Sequence, residues 1–352
     1  MVCFHLSAFH PKERGWRVAD RIAARNLDAV LLSNHLPIVG ALSLLVNTTT
    51  LVGIAHTDDD ESYAEFQASA PFCCAYAGVS AAITAELKSL RPGDSGCLVR
   101  HIPSGVPAAT VAERDASEPA RFLAVCRLVH RQKRVLDLPP IWRQYRARGG
   151  NGSLTICGPG AEESRLREEM AEEIRAGRVT ITGAMPLERM AEVYRRHDVL
   201  LSVSAYEGLP LTVLEAATAG LYPVLSRTRS GHAEILAVLG EGKLCEIGDT
   251  AGFASALGEV EGRLLSVRSL RRIIGERARS RFGLGTMIEN YGQLAAEAVE
   301  LRARDRPKPL PPGEHARRSK ADFLRSFLRR WQYRRHYGGL GDFAEAMAER
   351  PR

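Results

Sequence analysis

The sequence lacks the long apolar segments that are typical of membrane and secreted proteins. None of its 352 residues lies in an uninterrupted apolar run of roughly 18 positions, the length that a helix needs to cross a bilayer. The longest candidate, residues 36–46, is interrupted by Pro37 and Ser43, which favours a helix in a protein core. The first residues, MVCFHLSAFHPKERGW, hold no apolar stretch followed by a small-residue cleavage site, so no secretory signal is predicted. We therefore expect a cytoplasmic protein.

The sequence also lacks clustered metal ligands and cysteines at paired spacing. Its seven cysteines are odd in number and show no C-x-x-C pattern. Cys126 and Cys157 fall in predicted core strands, where a thiol acts as a small apolar residue. We expect reduced thiols, no structural metal and no cofactor.

Excess charge is missing from most of the chain. Residues 1–299 carry 34 Lys or Arg and 34 Asp or Glu, whereas residues 300–352 carry fourteen against seven, so the net charge of +7 belongs to the tail. A Pro-rich linker after Arg302 leads to residues 320–337, KADFLRSFLRRWQYRRHY, which place apolar and aromatic side chains on one helical face with arginines around it. A basic amphipathic helix of this kind is typical of peripheral contact with an anionic membrane, here the inner face. Packing of the same face on the protein body stays open, and nucleic-acid binding is disfavoured because no recognised module accompanies the charge.

The order of predicted elements indicates an α/β protein with two domains and a tail. From Arg121 onward, strands and helices alternate at the spacing of a doubly wound parallel sheet. Upstream, a weaker pattern of the same kind includes a helix capped by Ser80. We place the domains at residues 1–114 and 115–299, and the tail at 300–352. The predicted strands are residues 29–32, 50–55, 74–79, 97–102, 122–126, 154–157, 179–182, 199–203 and 222–225.

Two glutamates flank a strand-to-helix turn in residues 206–226, YEGLPLTVLEAATAGLYPVLS. Pro210 and Gly220 mark the start and end of the predicted helix, which places Glu207 in the loop and Glu215 inside the helix. Loops at the carboxyl ends of parallel strands bind ligands in open α/β sheets, and the free N–H groups of a helix's first turn attract phosphate. Taken alone, glutamates eight residues apart are more often solvated.

The whole string resembles the E-x7-E signature of retaining glycosyltransferase family 4, which is usually written near EGFPLVLLEAMAAGLPVV. The resemblance implies a GT-B fold, in which two Rossmann-like α/β domains with parallel sheets face each other across a cleft; here a basic helical C-terminal tail is added. It also implies transfer of a sugar, with retention, from a nucleotide-diphosphate donor to a glycan, glycolipid or other hydroxyl acceptor. The matched residues are Glu207, Gly208, Leu209, Pro210, Leu211, Glu215, Ala216, Gly220, Pro223 and Val224.

A basic loop near residue 130 extends the resemblance. FLAVCRLVHRQKR, residues 122–134, is similar to the family's strand and loop GR-L-x-x-x-K-G, with Arg127 and Lys133 at the two basic positions. Those cations would neutralise the diphosphate, the work that a divalent metal does in other sugar transferases. Cys126 and Arg134 stand where the family has glycines.

Further motifs complete the set of candidate site residues. Strand residues 51–58 end near His56, which resembles the family's histidine that faces the sugar. Asp58, Asp59 and Asp60 are expected in a solvated loop, with a contact to the acceptor as the alternative. The resemblance assigns catalytic roles to His56, Glu207, Arg127 and Lys133. It assigns donor binding to Glu215, Gly208, Leu209, Pro210, Leu211, Thr212, Gly158 and Gly231, with the 115–299 domain holding the nucleotide sugar and the 1–114 domain the acceptor.

Two other functions stay open at this stage. The first predicted domain is half to two thirds of the family's usual length, so the chain is truncated, naturally reduced or inactive. A non-catalytic nucleotide-sugar-binding protein or partner subunit would bind nucleotide without turnover. A related GT-B fold could isomerise its nucleotide sugar, which would give an epimerised product in the absence of an acceptor.

Overall fold

The computed structural model describes residue 22 and residues 24–33, 45, 49–90 and 96–304. The predicted amphipathic tail and most of the candidate core helix at residues 36–46 lie outside these residues. None of the helices within the described ranges is both long enough and apolar enough to cross a membrane.

The described residues contain ten strands in two sheets. The first sheet has the order β1-β2-β3-β4, and the second has the order β10-β9-β8-β5-β6-β7, in which every neighbouring pair is parallel. The strands of the first sheet are β1 (Ala29–Ser33), β2 (Thr50–Ala55), β3 (Ala75–Gly78) and β4 (Leu98–His101). Those of the second are β5 (Arg121–Val125), β6 (Ser153–Cys157), β7 (Val179–Gly183), β8 (Val199–Ser202), β9 (Tyr222–Ser226) and β10 (Lys243–Cys245).

Helices connect these strands in the alternating order that parallel pairing requires. In chain order they are α1 (Asp60–Ser69), α2 (Ala81–Ser89), α3 (His130–Lys133), α4 (Leu138–Ala147), α5 (Glu163–Glu169), α6 (Ala171–Arg175), α7 (Leu187–Arg195), α8 (Leu211–Thr218), α9 (His232–Leu239), α10 (Thr250–Gly262), α11 (Leu264–Ser269), α12 (Arg271–Phe282) and α13 (Leu284–Arg304).

The described chain divides into two compact units. Among the described residues, the smaller unit comprises 22, 24–33, 45, 49–53, 60–74 and 298–304, and the larger unit comprises 54–59, 75–90 and 96–297. Every candidate site residue lies in the larger unit.

The central strands of the larger unit are mainly apolar. Parallel strands covered on both faces need continuous hydrophobic runs, and β9 is buried at all five positions. An aromatic cluster fills one face, where the Phe122 ring centroid lies 5.3 Å from that of Tyr145 and 6.2 Å from that of Trp142. Both contacts are edge-on, an arrangement that aromatic pairs favour.

A buried ionic cluster fixes the start of β8. Asp198 is fully buried. Its carboxylate accepts hydrogen bonds from the backbone N–H of Arg121 at 3.1 Å and from the guanidinium of Arg268 at 3.0 Å. Arg114 donates to the same carboxylate at 3.4 Å. These cations hold the pKa of Asp198 below its ordinary value even though burial alone would raise it.

The predicted strands agree with the observed ones to within about a residue at each end, and Ser80 caps α2 as predicted by accepting the N–H of Ile83 at 3.2 Å. The solvated loop expected at residues 58–60 is wrong. Asp60 begins α1, and the Asp58 side chain is only 3% exposed because its carboxylate pairs with the guanidinium of Arg229. The short strand β10 was not predicted.

Candidate active site

A buried ion pair lies at the carboxyl ends of β5 and β8. The Lys133 ammonium, at the end of α3, contacts Glu207 Oε1 at 2.5 Å. Glu207 belongs to the loop between β8 and α8 and is 5% exposed. The two side chains are 74 positions apart in sequence, yet the sheet order places β5 beside β8 and so brings their following loops together.

Arg127 and Gln132 support this pair. Arg127 Nη2 donates to Gln132 Oε1 at 2.9 Å, and the backbone carbonyl of Gln132 accepts the N–H of Ala205 at 2.8 Å. The Gln132 side-chain amide also donates to the Tyr206 carbonyl at 3.4 Å. Gln132 therefore joins the basic loop after β5 to the loop that carries Glu207.

Cys126 lies near the same charged side chains. Its thiol lies within electrostatic range of Lys133, Glu207, Cys157 and Arg127. Burial raises the pKa of Cys126 to about 12, so the thiol stays protonated and unreactive at neutral pH.

The backbone of Gly208, in the loop that carries Glu207, packs directly against the backbone of His56. A side chain at Gly208 would overlap the carbonyl oxygen of His56, so only glycine permits this approach. Gly231, with φ +83, packs in turn against the Gly208 carbonyl, and the Ser230 hydroxyl donates to that carbonyl at 2.7 Å. Burial lowers the pKa of His56, which keeps its imidazole neutral near pH 7.

The turn from Leu209 to Thr212 opens α8 without a side-chain cap. Pro210 occupies the N-cap position in an extended conformation, and its side chain accepts no hydrogen bond. The first N–H groups of a helix have no partner within the helix, and they attract anions. Leu211, at this end of the helix, is 50% exposed.

Glu215 lies on α8, as predicted, and its carboxylate is held by a residue that the motif does not contain. The hydroxyl of Tyr194, on α7, donates to Glu215 Oε2 at 2.7 Å. Burial raises the pKa of Tyr194, so the phenol remains a donor. Among the described contacts, Glu215 is joined to Tyr194 and not directly to Arg127 or Lys133.

Two glycines after β6 permit close approach of the neighbouring strand's loop. Gly158 adopts φ +137, and a side chain there would overlap the carbonyl of Cys126. A Cβ at Gly160 would overlap the carbonyl of Leu128 in the same way. The predicted Gly loop is thus packed against the basic loop after β5.

Sequence reasoning missed Gln132 and Tyr194. Tyr194 lies four residues after Met190 on the buried face of α7, a spacing that indicates core packing alone. Gln132 is an ordinary residue within a charged stretch. Within the described ranges, no group of three or more His, Cys, Asp or Glu side chains is arranged to hold a metal ion.

The chain is similar to known glycosyltransferases. Residues 119–261 match the family described as "Glycosyl transferases group 1". The chain is 32% identical over 121 residues to the amylovoran biosynthesis glycosyltransferase AmsD of Erwinia amylovora, covering 34% of this chain and 33% of that protein. It is 27% identical over 202 residues to the lipopolysaccharide 1,6-galactosyltransferase of Escherichia coli K12, covering 56% and 55%. The chain therefore spans about a third to just over half of the length of these curated relatives.

A solved structure shows the same fold. The pneumococcal O-GlcNAc transferase GtfA, in complex with UDP and GlcNAc, superposes with a TM-score of 0.66 at 16% identity, covering 80% of this chain and 60% of that one. The chain has the GT-B fold, and the likenesses together support the GT-B glycosyltransferase superfamily.

Proposed function

We propose that this protein is a glycosyltransferase of family 4. It moves a sugar from a nucleotide-diphosphate donor to a hydroxyl of a glycan, glycolipid or similar acceptor, and it retains the anomeric configuration. The observation that carries the proposal is the buried contact between Lys133 and Glu207 at the carboxyl edge of the sheet. An acidic and a basic side chain joined at the usual ligand edge of an α/β sheet suit a ligand that has both phosphates and hydroxyls.

The diphosphate would be bound by positive charge from two sources. Lys133 supplies a compact ammonium and Arg127 a planar guanidinium, which stabilise the departing nucleoside diphosphate as its charge grows. The uncapped first turn of α8 adds backbone N–H donors from Leu211 and Thr212. These groups let the transferase work without a divalent metal, and activity should survive EDTA.

The sugar would be bound by neutral and acidic groups. Glu207 accepts hydrogen bonds from donor hydroxyls, and the neutral imidazole of His56 both donates and accepts. Glu215 binds the ribose hydroxyls of the nucleotide. Gly208, Leu209, Pro210, Gly158 and Gly231 allow the backbone to pass close to the donor. Retention would follow from attack on the face that the departing phosphate leaves, as is generally thought for this family.

Calorimetric titration with UDP-, GDP- and ADP-sugars tests the proposal. One donor class should bind the wild type, and the Arg127→Ala variant should bind it at least tenfold more weakly, since a charge-assisted hydrogen bond contributes about 1.5–3 kcal/mol. Arg131→Ala is the matched control, because Arg131 is an exposed arginine on α3. Absence of binding to all three donors would refute the assignment.

Product analysis distinguishes the functions that share this fold. Transfer to a hydroxyl acceptor with an α-anomer formed from an α-donor supports a retaining transferase. Nucleotide-sugar binding with no turnover would instead indicate a non-catalytic binding protein.

We also propose that residues 320–337 attach the protein to an anionic membrane surface, which would bring it to lipid-linked acceptors. Each Lys or Arg near such a surface contributes on the order of 1 kcal/mol. Sedimentation with anionic vesicles should decrease when these residues are deleted, and unchanged pelleting would reject the idea.

A further inference from the structure

We infer that Tyr194 is a positioning residue for the ribose of the nucleotide, acting through Glu215. The inference rests on the proposed function, since it takes a nucleoside diphosphate to be the ligand. It starts from the 2.7 Å hydrogen bond between the Tyr194 hydroxyl and Glu215 Oε2.

The tyrosine is built as a fixed support. It is 3% exposed, on the face of α7 that also buries Met190, so its ring has little freedom. Its phenol keeps its proton and therefore always donates to the carboxylate. Glu215 is only half-buried, so without this bond its carboxylate could rotate toward solvent.

The bond also leaves the carboxylate able to bind a ligand. A carboxylate has about four acceptor positions on two oxygens, and the tyrosine uses one of them on Oε2. Among the contacts of the described residues Oε1 accepts no hydrogen bond, and the adjacent hydroxyls of ribose suit such an acceptor.

Glu215 lies four residues after Leu211 on α8, so its backbone is about 6 Å along the helix axis from the turn that follows Glu207. Cys157, the last residue of β6, is within electrostatic range of Tyr194 on one side and of Cys126 on the other. Cys126 is in turn within range of Lys133 and Glu207. A nucleotide with its phosphates near Lys133 therefore has its ribose within the neighbourhood of Glu215.

The chain contains a matched control for this arrangement. Tyr145 is also a buried tyrosine that donates to a glutamate, Glu261 Oε2, at 2.7 Å. Its hydroxyl accepts the N–H of Gly152, just before β6 begins, so Tyr145 lies at the amino edge of the sheet, opposite the Lys133–Glu207 contact. Tyr145→Phe removes the same bond far from the proposed nucleotide.

The test is calorimetric binding of UDP, GDP and ADP, each beside its 2′-deoxy and 3′-deoxy forms. The wild type should prefer one ribonucleotide over a deoxy form by about tenfold, because a hydroxyl bound to a charged acceptor is lost. Tyr194→Phe should bind the ribonucleotide about fivefold more weakly, because Glu215 must then be ordered on binding. The preference of Tyr194→Phe for the ribonucleotide over the deoxy forms should fall to about threefold. Tyr145→Phe should keep both the wild-type affinity and the wild-type ribose preference.

Each outcome has one meaning. If Tyr194→Phe keeps the wild-type affinity and ribose preference, the positioning role is wrong while the proposed function stands. If the wild type binds none of the nucleotides, the proposed function fails and the positioning role with it. Should Tyr194→Phe melt below the assay temperature, the titrations are repeated at a lower temperature at which the variant is folded, and an unchanged affinity and ribose preference there overturns the inference.

Discussion

Removing the positive charge from the buried ion pair should destabilise the protein strongly. In Lys133→Met, the Glu207 carboxylate, whose side chain is 7% exposed, loses a partner at 2.5 Å and gains little contact with water. The surrounding groups offer weak compensation: burial keeps the nearby His232 imidazole uncharged by lowering its pKa, and Arg127 is engaged by Gln132. Breaking a buried pair by removing one partner costs about 3–5 kcal/mol.

A double-mutant cycle separates this effect from simple loss of packing. Glu207→Met in the Lys133→Met background removes the stranded charge, so the double variant should regain most of the lost stability, which corresponds to a coupling of at least about 2 kcal/mol. Urea unfolding followed by tryptophan fluorescence measures it, since Trp142 is 1% exposed in the same unit. If Lys133→Met lies within about 0.5 kcal/mol of the wild type, a value typical of surface sites, the buried pair does not behave as the reasoning requires.

Three further perturbations test the packing of the larger unit. Gly208→Ala should cost about 1–3 kcal/mol because its Cβ overlaps the His56 carbonyl, while Gly258→Ala, a helical site with nothing within 4 Å, should gain about 0.5–1 kcal/mol; thermal melts compare them. Burial lowers the pKa of His197 from 6.5 to about 4, so its imidazole stays neutral in the folded protein at pH values where the unfolded chain takes up a proton. The free energy of unfolding should therefore fall by up to about 3 kcal/mol between pH 6.5 and pH 4. Urea titrations of His197→Asn should lack that part of the pH dependence. Asp198→Asn leaves several buried guanidinium groups without their carboxylate and should cost about 3–5 kcal/mol in the same assay, and a neutral result would contradict the ionic role.

The fold of residues 121–226 follows closely from the sequence because each strand is a short apolar run bounded by turn residues. The turn at Pro210 and the stop at Gly220 bound α8 within a residue of its prediction. Such signals are local, so one chain segment suffices to recognise them. The Glu207 and Glu215 positions followed from the same local pattern.

Contacts between distant segments could not be predicted in this way. The sequence marks Lys133 and Glu207 separately, but the 2.5 Å distance between them depends on β5 lying next to β8 in the sheet. The burial of the Asp58 side chain could not be predicted for the same reason, because its partner Arg229 comes 171 positions later. Tyr194 has the spacing of a core residue, and its polar contact with Glu215 shows only in three dimensions.

One carboxylate connects the start of α9 to two other segments of the larger unit. Glu234, in the first turn of α9, accepts the N–H of Ala81 at 2.8 Å and lies 2.9 Å from His101 Nε2, while Gly231 at the start of α9 presses on the Gly208 carbonyl. Glu234 thereby joins the first turn of α9 to the first turn of α2, and Gly231 joins the start of α9 to the Gly208 turn. The start of α9 is thus a junction between the turn after Glu207 and the segment after β3.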